Sequence, residues 1–183
     1  MTTRILALCG SLRAKSYNRM ALDHAVEVAG DHGAEISVGD IADVPLYNQD
    51  NEKQPPDAVV RLGEQIARAD AVLIVSPEYN YSVPGVLKNA IDWVSRLPDK
   101  PFAGKPVALM GCSMGAQGSG RMQYHLRQVL LSISAVALNK PEVMIGSCHE
   151  KFDDTGKLTD DKAAEMIGRL VDGLVDWHRT LAG

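Results

Sequence analysis

Along the 183-residue chain, short apolar runs alternate with segments whose apolar positions recur every three or four residues. The runs are 5–9, 36–38, 71–75, 107–110 and 143–145. AVLIV at 71–75 shows no polar alternation, which is the pattern of a parallel strand covered on both faces. Between the runs, Met122, Leu126, Val129, Leu130 and Ile133 share one helical face. Leu87, Ala90, Ile91 and Val94 repeat that spacing after Pro84, a residue tolerated in a first helical turn, and Ala163, Ile167, Leu170, Val171, Leu174 and Leu181 mark a closing helix. The polar stretch NQDNEKQPPD at 48–57 is read as a solvated loop leading into a short helix near Pro56.

Strand and helix alternating over this length predict one α/β domain across residues 1–183, a doubly wound five-stranded parallel sheet with helices on both faces. Such sheets bind ligands outside the carboxyl ends of their strands. Three loops leave those ends, 10–18, 76–84 and 111–120, and all are rich in Gly, Ser, Asn, Pro or Tyr. The site is expected there.

The bulk composition narrows the function class. With 45% hydrophobic and 23% charged residues, 16 Gly and 9 Pro, the chain is neither collagen-like nor disordered. A net charge of -4 without a dense Lys/Arg run argues against nucleic acid and anionic membranes as partners. No segment approaches the roughly 18 apolar residues of a membrane span, and MTTRILALCGSLR is too short in apolar residues for a signal segment, so a cytoplasmic location is expected. Cys9, Cys112 and Cys148 stand far apart without a CxxC pair, which fits neither a zinc site nor a disulfide framework; they are expected to be buried and inert.

The loop CGSLRAKSYN at 9–18 carries glycine, hydroxyls, an amide and two cations between a strand and a helix, where an anion is well placed. Glycines required by a Walker A loop are replaced by Cys9 and Ala14, and the dinucleotide fingerprint fails at Leu12 and Lys15. A cysteine phosphatase would need Arg where Lys15 stands, because a point charge cannot reproduce the bidentate guanidinium fork. A static phosphate seat remains, with Ser11, Ser16 and Asn18 as donors and Arg13 as charge. Helix capping alone explains Ser16 or Asn18 but not Arg13.

GSLRAKSYNR at 10–19 together with SPEYNYSVPGVLKNAIDWVSR at 76–96 resembles the NADPH-dependent FMN reductase family of flavodoxin-like proteins, especially its quinone and chromate reductase branch. The resemblance implies an FMN whose phosphate sits on Ser11, Arg13, Ser16, Tyr17 and Asn18, with the isoalloxazine ring bordered by Pro77, Glu78, Tyr79, Asn80 and Tyr81. In the third loop, GCSMGAQGSGR, Met114, Ala116 and Gln117 depart from the glycine-pair pattern of many relatives, while Ser113 and Gly115 look able to reach the ring's pyrimidine edge. It further implies NADPH or NADH as hydride donor, ping-pong kinetics, a small acceptor such as a quinone or chromate, and no side chain acting as nucleophile or base. A flavodoxin-type electron carrier is the alternative from a different class. Dimers or tetramers are implied, with Arg121 and Tyr124 placed at the interface and Tyr81 and Glu142 as their expected partners across it.

Overall fold

The computed structural model describes residues 2–183. Strands β1 (Thr3–Cys9), β2 (Ala34–Gly39), β3 (Ala71–Val75) and β4 (Pro106–Cys112) run parallel in the order β2–β1–β3–β4. The position beyond β4 is shared by two short strands: β5 (Val136–Ala137) pairs with Pro106 and Val107, and β6 (Val143–Ile145) with Met110 to Cys112. The expected fifth strand is therefore two pieces. Between them runs LNKPE, where Pro141 has no N–H to give the ladder.

Helices α1 (Tyr17–Val28) and α5 (Asp161–Ala182) cover one face of the sheet, and α2 (Asp57–Arg68), α3 (Gly85–Val94) and α4 (Gly120–Ser132) cover the other. The strands divide between the two cores residue by residue. Ala71, Leu73 and Val75 pack with α1 and α5, whereas Val72 and Ile74 pack with α2, α3 and α4. Both sides of β3 need an apolar residue, which is why its sequence shows no alternation.

Two apolar stripes reach further than the core does. On α4, Met122, Leu126 and Leu130 are fully buried, but Val129 and Ile133 are only half-buried. On α5, Ala163, Ile167, Leu170, Val171 and Leu174 are buried and Leu181 is exposed. That helix of 22 residues is about 33 Å long by its rise per residue, longer than the roughly 23 Å of a seven-residue strand, so its last turn overhangs.

The polar stretch after β2 is strapped to α3. Trp93 Nε1 donates to Pro45 O at 2.8 Å, Tyr47 N–H donates to Asn89 Oδ1 at 2.8 Å, and Glu52 pairs with Arg96 at 3.4 Å. β1 has β2 on one side and β3 on the other, so the crossovers leave it in opposite directions. The crevice this opens lies at the carboxyl ends of β1 and β3.

Candidate active site

Three loops meet at that crevice around Ser76, a fully buried residue that follows β3. Gly10 lies on one side of it and Gly111 on the other. A Cβ on Gly10 would collide with Ser76 Oγ, and one on Gly111 would collide with the Ser76 carbonyl and with Ser119 Oγ. Glycine is required at both places because backbone passes directly over backbone. Gly10 N–H donates to Val75 O at 2.8 Å and Ser76 N–H to Met110 O at 3.0 Å, so the ends of β1, β3 and β4 form one rigid floor. Neither Ser76 nor this stack is singled out in the sequence; glycines directly after the apolar runs 5–9 and 107–110 are the signal.

In the first loop, Ser16 caps α1 by accepting from Asn18 N–H at 3.2 Å. The buried Asn18 carboxamide is committed elsewhere: Nδ2 donates to Cys112 O at 3.1 Å and Oδ1 accepts from Cys112 N–H at 2.8 Å. Asn18 is thus not a free donor to a phosphate; it ties the start of α1 to the end of β4. Arg13 is exposed and enters no ion pair among the described residues, and its guanidinium lies over the Tyr17 ring at 5.5 Å. Tyr17 in turn packs on Phe152 with ring centroids 5.6 Å apart. Ser11, Leu12, Ala14, Lys15 and Tyr17 have backbone N–H groups with no protein acceptor among the described residues. A cavity of about 440 Å³ opens beside this loop, lined by Ser11, Arg13 and Asp40 among others.

The second loop folds into a tight hairpin. Pro77 is buried, while Tyr79, Asn80 and Tyr81 are exposed. Glu78 departs from the expectation that it borders a ring, because its carboxylate turns toward α4. It accepts from Arg121 Nε at 2.6 Å and from Met122 N–H at 3.1 Å, completing the N-terminal turn of that helix.

In the third loop, Ser113 N–H is committed to Ile145 O at 3.0 Å and its hydroxyl to Gly115 O at 3.0 Å. The N–H groups of Met114, Gly115 and Ala116 have no protein acceptor among the described residues. Of the four amides over 113–116, three are therefore open. Gly146 lets this loop close on the segment after β6, since a Cβ there would strike the Ala116 carbonyl.

The three cysteines, far apart in sequence, gather beneath these loops at the ends of β1 and β4 and just after β6. Burial pushes the Cys9 and Cys112 thiols up, the opposite of what a nucleophile needs. Cys9 is not the attacking group of a phosphatase.

Residues expected to meet across a subunit boundary also lie near one another within the chain. Arg121 stacks on the Tyr81 ring at 3.7 Å, and Tyr124 lies beside the Glu142 carboxylate. Glu142 is held below its ordinary range first by Lys140, at 2.6 Å, and then by Tyr124.

The donor set fits FMN: cation and unpaired N–H groups for a phosphate in the first loop, exposed Leu12, Tyr79, Tyr81 and Met114 as apolar cover, and orphan amides facing in from the third loop. A second hollow of about 460 Å³ between α3 and α4 holds Lys88 and Arg96, paired with Asp92 and Glu52, and Lys100, which enters no ion pair among the described residues; none of its lining comes from the three loops.

The family model for NADPH-dependent FMN reductase matches residues 3–150. An NAD(P)H-dependent FMN reductase of Pseudomonas aeruginosa is 50% identical over 181 residues, 98% of this chain and 97% of that protein. A quinone reductase of Escherichia coli K12 is 49% identical over 171 residues, 91% of each. Among solved structures, the flavoenzyme NAD(P)H:(acceptor) oxidoreductase FerB from Paracoccus denitrificans superposes with a TM-score of 0.88 at 36% identity, covering 98% of both chains.

Proposed function

The chain belongs to the NADPH-dependent FMN reductase family, an enzyme family with FMN and NAD(P)H as cofactors, and on that premise we propose that it is a quinone oxidoreductase working by a ping-pong cycle. The observation that carries this is the meeting of three loops around Ser76 at the point where the strand order reverses, with Arg13 free of any acidic partner among the described residues.

When bound, FMN supplies the uptake of a hydride equivalent from NAD(P)H and its delivery to a small acceptor. The chain's own residues hold and polarise. Arg13, the Ser11 and Ser16 hydroxyls and the Tyr17 N–H seat the phosphate at the positive end of α1, while Asn18 fixes that end against β4. Pro77, Tyr79, Asn80 and Tyr81 border the ring, with Glu78 contributing backbone. Amides of Met114, Gly115 and Ala116 oppose the negative charge that develops at its pyrimidine edge, beside Ser113. No side chain here is placed as nucleophile or general base.

Donor and acceptor use the exposed cofactor edge in turn, which is the order of a ping-pong cycle. Quinones are the acceptor class that the relatives' names support, with chromate as a further acceptor. The face carrying Arg121 and Tyr124 is the contact through which copies associate as dimers or tetramers, and the enzyme works in the cytoplasm. No helix among the described residues is long and apolar enough to cross a membrane.

The test is an absorption spectrum of the purified protein followed by anaerobic addition of NADH or NADPH and then a quinone. Bleaching of the bound flavin by nicotinamide and its recovery with quinone are expected. Bleaching only when a separate reductase is added would identify an electron carrier instead.

A further inference from the structure

Tyr79 and Ser82 bond each other in both directions, at 3.1 Å from Tyr79 N–H and 2.9 Å from Ser82 N–H. The two residues between them are both left-handed, Asn80 at φ 49° and Tyr81 at φ 67°. That is the backbone of a type I′ turn, whose preferred pair is asparagine followed by glycine. Asn80 suits its place. Tyr81 does not, because its Cβ meets the steric penalty of the left-handed region, and such an outlier persists only where its surroundings hold it.

The surroundings are two successive turns of α4. Arg121 places its guanidinium 3.7 Å over the Tyr81 ring and its Nε 2.6 Å from Glu78 Oε1. Met122 N–H takes the other Glu78 oxygen at 3.1 Å, and His125 Nδ1 lies 2.8 Å from Ser82 Oγ. The Glu78 side chain is only 7% exposed, so its bond to Arg121 is shielded more than a surface pair would be. Arg121 is the one side chain in this group that touches both the buried carboxylate and the strained residue.

We propose that Arg121 is a positioning residue for the cofactor edge, acting through Glu78 and Tyr81 to hold the 79–82 hairpin in its left-handed form before FMN arrives. The inference rests on the reading that residues 77–81 border FMN. A preformed turn lets the cofactor bind without ordering the loop, whereas a released turn must be re-formed at each binding event, which lowers affinity.

The experiment measures two quantities on Arg121→Ala: hydrogen exchange of the 76–84 segment in the apoprotein, and FMN affinity from quenching of flavin fluorescence. Faster exchange and a Kd raised about tenfold or more are expected. Tyr81→Gly supplies the residue that the turn prefers, so on its own it leaves exchange of the segment near wild type, and its own FMN Kd, weakened by the lost ring, is the reference for the double variant. Added to Arg121→Ala, it restores protection of the segment and brings the Kd to that of Tyr81→Gly alone, even where sedimentation velocity shows association still weakened.

Unchanged exchange and affinity in Arg121→Ala would overturn the proposal. So would a loss that Tyr81→Gly fails to relieve, since Arg121 would then act by touching the cofactor or through assembly. A wild-type apoprotein that takes up no FMN would remove the cofactor assignment instead, and the exchange data alone would still decide whether Arg121 holds the turn.

Discussion

The two edges of the sheet use the same kinds of charged residue in opposite ways. At the amino edge, Arg4 is bonded to both oxygens of Asp70, at 3.1 and 2.7 Å, and Lys105 closes the end of α2 by donating to Ala67 O and Ala69 O. At the carboxyl edge, Arg13 has only the face of Tyr17, and a row of backbone N–H groups lacks protein acceptors among the described residues. One edge is closed chemically and serves stability. The other is left open for an anion, at the end where strand and helix termini already concentrate donors.

Asn18→Ala should erase the distinction by damaging stability and binding together. It strands the N–H and the carbonyl of buried Cys112, so about 3 kcal/mol of folding stability should be lost, measured by urea unfolding. FMN affinity should fall in the same variant because the end of α1 is no longer fixed against β4.

Arg13→Ala separates the two properties in favour of binding. Loss of a charge-assisted contact should weaken FMN binding by roughly 1.5 to 3 kcal/mol, about 10- to 100-fold, with the melting temperature unmoved. Fluorescence titration beside a thermal melt checks it, and a melting temperature that dropped in step with affinity would place Arg13 in the scaffold.

Asp70→Asn is the smallest effect and the mirror image. Arg4 holds the Asp70 carboxyl down to about 2 from an ordinary 3.8, chiefly through its side-chain hydrogen bond. A depressed carboxyl stabilises the fold above its unfolded value and loses that contribution as pH falls, so the wild-type advantage should fade between pH 3.8 and about 2. Since Arg4 is largely exposed, about 1 kcal/mol at neutral pH is expected, with FMN affinity unchanged.

The general plan is legible in the chain because each strand lies between two apolar layers and each site loop follows a strand. AVLIV, the helix after Pro84 and the loops at 10–18, 76–84 and 111–120 all lie where periodicity and punctuation place them. Partner choice is less legible, because it depends on approach in space. Glu78 and Asn18 carry polar groups suited to a ligand, yet their partners Arg121 and Cys112 lie 43 and 94 residues away. Arg121 and Tyr81, expected to meet across a subunit boundary, also stack within the chain, a contact that spacing along the sequence does not show. The fifth strand divides because β4 advances only from Val107 to Met110 while the outer chain advances from Ala137 to Val143, an insertion that a three-residue apolar run does not reveal.

The gathering of Cys9, Cys112 and Cys148 below the loops has a chemical consequence under the proposed quinone reductase activity. Quinones are soft electrophiles that add irreversibly to thiolates. All three sulfurs are buried, and desolvation is the leading influence that raises each thiol. The thiolate, the form that adds to a quinone, is thereby disfavoured at each sulfur, so on the quinone reductase reading the chain resists modification by its own acceptor.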